Sequence, residues 1–256
     1  MNRTLAFSSR NIKELIRDPL GYIFCIGLPL IMLVIMTVID SSIPKENGPT
    51  VFHIENLAPG VAVFGQTFVM LFTSITVATD RSGAFLMRLY ATPMTAADLT
   101  AGYILPMLIV ALVQNFITLA AGFIISLIVG SALNVGGMLL CLLTLMPSAL
   151  MFIGFGLIFG VLLSEKSAPG VSSLIISLGS FLGGIWYDPD STGGVMLTIC
   201  KCLPFYYCTK SSRAALASDF TGEGFFLPLL IVIICAGILT ALGCFLFSKR
   251  MRADLG

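Results

Sequence analysis

The sequence predicts an all-α integral membrane protein with six transmembrane helices. Of its 256 residues, 57% are hydrophobic and only 11% are charged, whereas soluble domains average about 25% charged residues. The mean hydropathy is +1.01. In addition, apolar runs of membrane-spanning length alternate with short polar segments. These runs leave no room for a separate soluble domain, so residues 1–256 are interpreted as a single transmembrane domain.

Residues 1–18 predict an amphipathic helix that lies in the membrane interface. Arg3, Arg10 and Arg17 recur every seven positions, which suits arginines directed toward lipid headgroups. The apolar side chains occupy another face: Leu5, Ile12, Leu15 and Ile16. The alternative is a helical extension of the first span. Pro19 is expected to start the next helix, because its missing N–H would have no helical partner there.

Six apolar segments are predicted to cross the membrane. They cover residues 20–39, 57–79, 100–128, 135–163, 169–186 and 225–247. At 1.5 Å per residue, each is long enough for a hydrocarbon core of about 30 Å. The uncharged run over residues 99–163 is too long for one crossing, and the stretch 130–137, which contains Gly and Asn, is its expected turn.

The distribution of basic residues predicts the orientation. With the N-terminus inside, ten of the 14 Lys and Arg residues lie in inside segments. The four outside are Lys45, Lys201, Lys210 and Arg213. The positive-inside rule therefore places both termini in the cytosol.

The outside segment 187–224 is expected to hold short re-entrant helices, because residues 196–208 are too apolar for a solvated loop. Asp188 and Asp190 are interpreted as turn residues rather than cation ligands. Cys202 and Cys208 lie close enough in sequence for a disulfide if they face an oxidising compartment, and free thiols are the equal alternative.

The segment from Asp80 to Met94 is charged and helix-competent, and it separates two apolar runs. Arg81, Phe85 and Arg88 share one helical face at spacings of four and three, and Leu86, Leu89 and Tyr90 share another. Thr92-Pro93 should end the helix, because the residue before a proline is disfavoured in the α region. Two interpretations are open: a helix on the lipid surface, or a helix that docks into a groove on a partner protein.

Residues 80–94 resemble the coupling helix between spans two and three of type-2 ABC exporter permeases. The matching positions are Asp80-Arg81, Gly83 or Ala84, Leu86, Arg88-Leu89 and Thr92-Pro93. Met87 and Phe85 differ from the residues common in that family. The resemblance extends along the chain to Arg17-Asp18-Pro19, to the loop 164–168 as a second cytosolic contact, and to residues 183–187 and 203–206 as outer re-entrant helices.

The resemblance implies a transport subunit of a bacterial plasma membrane, paired with itself or with a related permease in the lipid bilayer. Because the chain contains no G-x-x-x-x-G-K-[ST] motif, ATP and Mg²⁺ would be bound by a separate ABC ATPase and no cofactor or metal by this chain. No nucleic-acid partner is expected. The residues assigned to ATPase coupling are Asp80, Arg81, Phe85, Arg88, Leu89, Thr92, Pro93, Glu165 and Lys166.

A few polar and aromatic side chains inside the spans are candidates for a substrate path. They are Gln66, Phe68, Phe72, Thr73, Gln114 and Asn115. Hydrogen bonding between helices, and packing for the aromatic residues, is the favoured alternative. A neutral path would suit a hydrophobic or amphiphilic substrate such as a drug, an antimicrobial peptide or a lipid, and polysaccharide export is the alternative.

Two other classes of protein fit the sequence less well. An ATP-independent secondary transporter or channel would be expected to carry an ionisable residue deep in a span, and none is evident. An intramembrane protease needs a nucleophile and a base within the spans, but the only histidine, His53, lies in a predicted outer loop.

Overall fold

The computed structural model describes residues 3–43, 49–83, 85, 94–131 and 133–255. These residues form helices joined by short turns and contain no strand. In chain order the helices are α1 (Arg3–Arg17), α2 (Pro19–Ser42), α3 (Ile54–Ser82), α4 (Ala96–Val129), α5 (Val135–Leu162), α6 (Ala168–Leu182), α7 (Pro189–Thr192), α8 (Gly194–Lys201), α9 (Pro204–Ala217) and α10, which runs through Gly222–Phe226 and Leu227–Leu255. The predicted all-α membrane fold is confirmed.

Five of the described helices are long and apolar enough to cross a membrane: α2, α3, α4, α5 and α10. The sixth predicted span, 169–186, corresponds to α6, which has only 15 residues. It therefore rises about 22 Å, less than a hydrocarbon core of about 30 Å. The helix ends at Leu182, and Gly184 has a φ of +68°, a left-handed conformation that interrupts an α-helix. The count of six crossings stays a prediction.

Local sequence explains where several helices begin and end. Pro19 occupies the first turn of α2, and the Asp18 side chain accepts a hydrogen bond from the Leu20 N–H. The expected turn at 130–137 is present, with Gly130 in the left-handed region after α4 and Asn134 capping α5. Within α2, residues Ile23–Gly27 form a π-helical segment that the apolar pattern did not predict.

Helix α3 is the central helix of the bundle. In the most apolar 18-residue stretch of α3, 78% of the residues are buried. In the corresponding stretches of α2 and α10, only 17% are buried. Glycines let α5 approach α3 closely: a Cβ on Gly156 would lie 2.6 Å from the Met70 carbonyl oxygen, and one on Gly160 would lie 2.9 Å from that of Ser74. Small residues at such crossings are typical of helix packing in membranes.

The segment after α6 forms three short helices at the end of the bundle opposite α1. Helix α9 packs against α3, α5 and α10, and a Cβ on Gly137 of α5 would lie only 2.2 Å from the Leu216 carbonyl oxygen. The half-buried Arg213 Nε donates to the Asn56 carbonyl oxygen at 3.0 Å. Cys202 is exposed and Cys208 is buried, and both are free thiols, which corresponds to the second of the two alternatives. Insertion of α9 into the outer leaflet stays a prediction.

Candidate functional site

One end of the bundle gathers α1, the last turn of α3, the start of α4 and the turn after α5. We call it the basal end and define it by residues 3–17, 80–83, 85, 94–103 and 163–167. Phe247 of α10 also reaches it, with its ring centroid 6.1 Å from that of Tyr103. The two terminal helices therefore meet at the same end of the bundle, as the predicted location of both termini on one side of the membrane requires.

Asp80 is the acidic centre of the basal end. Only 8% of the residue is exposed. Its carboxylate accepts hydrogen bonds from Arg10 Nη1 at 2.9 Å, Arg10 Nη2 at 3.2 Å and Tyr103 Oη at 2.8 Å. These contacts join α1, α3 and α4 around one buried charge. Since a buried carboxylate is stable only when paired and hydrogen-bonded, the three helices are linked energetically at this point.

Arg10 makes a second set of contacts on the open side of Asp80. Its Nη2 lies 2.5 Å from Glu14 Oε1, and its guanidinium carbon lies 3.9 Å from the centroid of the Phe85 ring. Burial by itself lowers the pKa of Arg10, but the hydrogen bond and charge of Asp80 outweigh it and raise that pKa above its ordinary value. The guanidinium is therefore a permanent cation at the start of the 80–94 segment.

Helix α1 docks on α4 because two residues of α4 depart from ordinary helix chemistry. Pro106 has no N–H, so the carbonyl oxygen of Gly102, four residues earlier, lacks its usual helical partner. Asn11 Nδ2 donates to that oxygen at 3.0 Å. Gly102 also has no Cβ, and a Cβ there would lie 2.2 Å from Cδ1 of Phe7. The proline and the glycine together form the surface that receives α1.

The N-terminus of α4 fixes the other end of this contact. Thr95 and Asp98 form a capping box, in which Thr95 Oγ1 accepts from the Asp98 N–H at 3.2 Å and Asp98 Oδ2 accepts from the Thr95 N–H at 3.0 Å. The other carboxylate oxygen of Asp98 accepts from Thr4 Oγ1 at 2.8 Å. Helix α1 is therefore held by three side-chain contacts, made by Thr4, Arg10 and Asn11.

The second loop assigned to coupling lies beside the first. Arg81 Nη2 donates to the Leu163 carbonyl oxygen at 2.6 Å, and Ser82 Oγ donates to Glu165 Oε2 at 2.9 Å. Glu165 and its neighbour Lys166 are exposed in the turn between α5 and α6. The structure thus brings together Asp80, Arg81 and the 164–167 turn, which the resemblance had assigned to one function from two distant stretches.

Among the remaining residues assigned to coupling, Phe85 is described, and its ring stacks on Phe7 with centroids 6.2 Å apart. The predicted contributions of Arg88, Leu89, Thr92 and Pro93 lie outside the described residues.

The sequence analysis missed Arg10 and Tyr103 as part of this site. Arg10 was expected to face lipid headgroups with Arg3 and Arg17, but it points into the bundle and pairs with Asp80. The sevenfold spacing of arginines describes a helical face and cannot show which member finds a partner 70 residues away. Asp80 at the end of an apolar run was the available signal, because a charge at that position favours a cationic partner, but the adjacent Arg81 was the nearer candidate in the sequence.

The polar residues proposed for a substrate path lie inside the protomer. Gln66, Thr73, Gln114 and Asn115 have no exposed surface. Gln66 links α3 to α4 and α5, since its Nε2 donates to Asn115 Oδ1 at 3.3 Å and to the Leu145 carbonyl oxygen at 2.9 Å. Ser148 Oγ donates to Gln66 Oε1 at 2.6 Å. These contacts support the alternative of hydrogen bonding between helices.

The aromatic candidates pack against neighbouring helices. The Phe68 ring lies 6.0 Å from Phe24 of α2 and 5.1 Å from Phe64, which in turn lies 5.2 Å from Trp186. Phe68 is 7% exposed, while Phe72 is half-buried and lies 6.4 Å from Phe24. Phe68 therefore belongs to an aromatic cluster, and Phe72 extends that cluster toward the basal end.

Comparison with known proteins identifies the family. The family described as ABC-2 type transporter matches residues 2–217, a region that includes α1 to α9 and the whole basal site except α10. No curated protein gave a match to this chain.

Proposed function

Because the chain belongs to the ABC-2 type transporter family, it is a transmembrane ABC permease subunit, and we propose that it works in an ATP-driven exporter. In this proposal a separate ABC ATPase binds ATP and Mg²⁺ and docks at the basal end. The permease pairs with a second permease, identical or related, in the plasma membrane of a bacterium. A hydrophobic or amphiphilic substrate then moves outward between the two.

The contacts of Asp80 are the observation that carries the proposal. A force applied to residues 80–94 acts on α3 directly, on α1 through Arg10, and on α4 through Tyr103. It also acts on α5 and α6 through the Arg81 and Ser82 contacts to residues 163–165. A partner that moves this one segment would therefore move five helices: α1, α3, α4, α5 and α6. Such a linkage is needed if a separate ATPase is to change the conformation of the membrane subunit.

The composition of the basal surface suits a protein partner. Glu165 and Lys166 are exposed beside Ser82, and Arg10 keeps a side chain that is 31% exposed. Mixed charges around an aromatic residue such as Phe85 are typical of a docking surface with a polar rim. The membrane-buried helices give no such surface, since their exposed residues are mostly apolar.

The deciding experiment changes the coupling segment in variants that are expected to retain membrane insertion. Arg88→Glu, or deletion of residues 81–90, is expressed together with a candidate ABC ATPase of the source genome, chosen because it co-purifies with the wild-type permease. We expect both variants to insert into the membrane, to lose co-purification with the ATPase and to lose substrate-stimulated ATP hydrolysis. Lys249→Glu reverses an exposed charge near the end of α10 and serves as the control, which should behave as wild type.

Retained ATP-driven export in the Arg88→Glu variant would contradict the assignment. An ATP-independent secondary transporter is distinguished by the same preparation, because its transport would persist without the ATPase and would follow an ion gradient. Equal loss of ATPase binding in Lys249→Glu would show that the basal charge as a whole, and not the coupling segment, holds the partner.

A further inference from the structure

A cavity of about 480 Å³ lies at the end of the bundle opposite the basal end, and we call it the outer cavity. It forms where the last turns of α2 meet the start of α3 and the turn after α4. These three elements contribute Asp40, Glu55 and Ser131 to its wall. Its volume lies within the range of about 300–1,000 Å³ that is typical of pockets for small organic molecules.

The lining of the outer cavity is negatively charged. Asp40 and Glu55 both line it, and no lysine or arginine among the described residues does so. The remaining titratable side chain of the wall is His53, which is half-exposed and carries a charge only when protonated. Two carboxylates repel an anionic ligand and attract a cationic one, so the charge of the wall is complementary to a cation.

The carboxylate of Asp40 accepts no hydrogen bond from any described residue. His53 Nε2 lies 4.0 Å from Asp40 Oδ1, which is too long for a hydrogen bond. The Asp40 side chain is nevertheless only 22% exposed. Because a largely buried carboxylate is stabilised by charged or hydrogen-bonding partners, Asp40 is an acceptor that a cationic ligand would satisfy.

Ser131 supplies a second unpartnered polar group, from the turn after α4. Its Oγ is buried and has no hydrogen-bond partner in the part of the chain that the structure describes. The hydroxyls that α2 contributes are already engaged within that helix. Thr37 Oγ1 donates to the Leu33 carbonyl oxygen at 2.7 Å, and Ser41 donates to that of Val38. Since buried hydroxyls are nearly always hydrogen-bonded, Ser131 indicates a partner that these helices do not supply.

The apolar part of the wall defines the rest of the ligand. Ile43, Ile54 and Val129 line the cavity beside the polar groups. A bare metal ion gains nothing from such side chains, and no group of three His, Cys, Asp or Glu among the described residues is placed to hold one. An organic ammonium ion with an apolar body matches both parts of the wall. Its N–H groups donate to the acceptors, and its hydrocarbon contacts the apolar side chains.

We propose that the outer cavity is a binding site for an organic ammonium ion, whose N–H groups pair with Asp40 and Glu55 and donate to Ser131. Its apolar body packs against Ile54 and Val129. Because α2, α3 and α4 each contribute to the wall, the occupied site links their outer ends. The proposal concerns binding to the permease chain alone and does not depend on the exporter function.

The test measures binding of 1-naphthylmethylamine, an aromatic primary amine, to the full chain purified in a neutral detergent. Isothermal titration calorimetry is carried out at mildly alkaline pH, where the amine is protonated and histidine side chains are usually neutral. The neutral comparison is 1-naphthalenemethanol, which has a hydroxyl in place of the ammonium. We expect a single saturable amine site per chain and a Kd for the alcohol that is higher by about tenfold or more.

Carboxylate variants test the charge. Asp40→Asn should weaken amine binding by about tenfold, whereas Glu55→Gln, at an exposed carboxylate, should weaken it by about threefold. Glu223→Gln removes an exposed carboxylate at the same end of the bundle that does not line the cavity, and it should bind normally.

Two neighbouring serines test the location. Ser41 and Ser42 are both exposed and both donate to the Val38 carbonyl oxygen, but only Ser41 lines the cavity. Ser41→Phe should therefore weaken amine binding by about tenfold through steric exclusion, and Ser42→Phe should leave it unchanged.

Equal binding in wild type, Asp40→Asn and Ser41→Phe would overturn the proposal, as would equal affinity for the amine and the alcohol. Displacement of the amine by Zn²⁺ that a chelator reverses would assign the cavity to a metal ion instead. Lys45 lies outside the described residues; if only Lys45→Gln binds the amine, the occupant is the chain's own lysine and the proposal is wrong. None of these measurements needs an ATPase or transport, so their failure is distinguishable from failure of the exporter assignment.

Discussion

The substitution Asp80→Asn removes the charge at the centre of the basal site while keeping the shape of the side chain. The new amide would still accept the Tyr103 hydroxyl through its oxygen. Its nitrogen, at the position of Oδ1, would face Arg10 Nη2, which now donates to that oxygen at 3.2 Å, while Arg10 Nη1 could still donate to the remaining oxygen at 2.9 Å. The variant therefore replaces the ion pair with one neutral hydrogen bond and one pair of opposed donors, and among the described residues it leaves Glu14 as the only carboxylate that contacts Arg10.

The magnitude follows from burial. Removing one partner of a fully buried ion pair costs about 3–5 kcal/mol, and a hydrogen bond to a charged group contributes about 1.5–3 kcal/mol. The Asp80 side chain is 10% exposed but that of Arg10 is 31% exposed, so water relieves part of the loss. We expect the docking of α1 to weaken by about 2 kcal/mol, which corresponds to about a 30-fold increase in its open population.

Hydrogen exchange measures this opening directly. Amides of α1 between residues 5 and 12 should exchange about 30-fold faster in Asp80→Asn, while amides of α5 should be unchanged, because local opening exposes only the helix that detaches. Glu14→Gln is the matched control. Its carboxylate also contacts Arg10, but the side chain is 51% exposed, so its loss should cost well under 1 kcal/mol.

Two results would refute this reasoning. Equal acceleration in Asp80→Asn and Glu14→Gln would show that burial does not distinguish the two carboxylates. Acceleration throughout the bundle would show that Asp80 supports global stability rather than the attachment of α1.

Three further substitutions or labelling experiments test the packing and the outer segment. Gly156→Ala should lower the stability of the bundle by about 1–3 kcal/mol in thermal unfolding, because the new Cβ would lie 2.6 Å from a backbone oxygen of α3. Gly170→Ala is the control, because a Cβ there has no atom within 4 Å, and its stability should be unchanged. An equal loss of stability in the two variants would contradict the α3–α5 contact. Gln66→Leu should cost about 1–2 kcal/mol, because buried groups on α4 and α5 lose their partner; an unchanged melting temperature would count against the hydrogen-bond role. An impermeant maleimide should label the exposed Cys202 without prior reduction and leave the buried Cys208 unmodified, and labelling only after reduction would indicate a disulfide.

Much of the fold follows from apolar runs and turn residues. The boundaries of α2 to α5 lie within a few residues of their predictions, because hydrophobic length and capping residues such as Asn134 are local properties. The prediction for α6 was too long. Residues 183–186 are apolar enough to extend a span by composition, but Gly184 adopts a left-handed conformation and Trp186 packs on Phe64 of α3.

The candidate site was predicted only in part. The charged segment at 80–94 and the turn at 164–168 were identified from their position between apolar runs and from the family resemblance. Arg10 was assigned to lipid, because on an isolated amphipathic helix the interface is the expected environment for arginine. The residues that reveal its partner are Asp80 of α3 and Tyr103 of α4. They are distant from Arg10 in the sequence, so no periodic pattern within α1 could identify them.

The sequence by itself determined that the chain crosses the membrane and where its helices begin. It also determined that the charged segment 80–94 lies at an end of the bundle, outside the apolar spans. These properties depend on hydrophobic length, on proline and glycine, and on charge, all of which act locally. Only the tertiary structure decided that Arg10 pairs with Asp80, that Asn11 takes the carbonyl oxygen freed by Pro106, and that the outer cavity forms between α2, α3 and α4. Those outcomes depend on which faces of distant helices meet, and no local pattern specifies that choice.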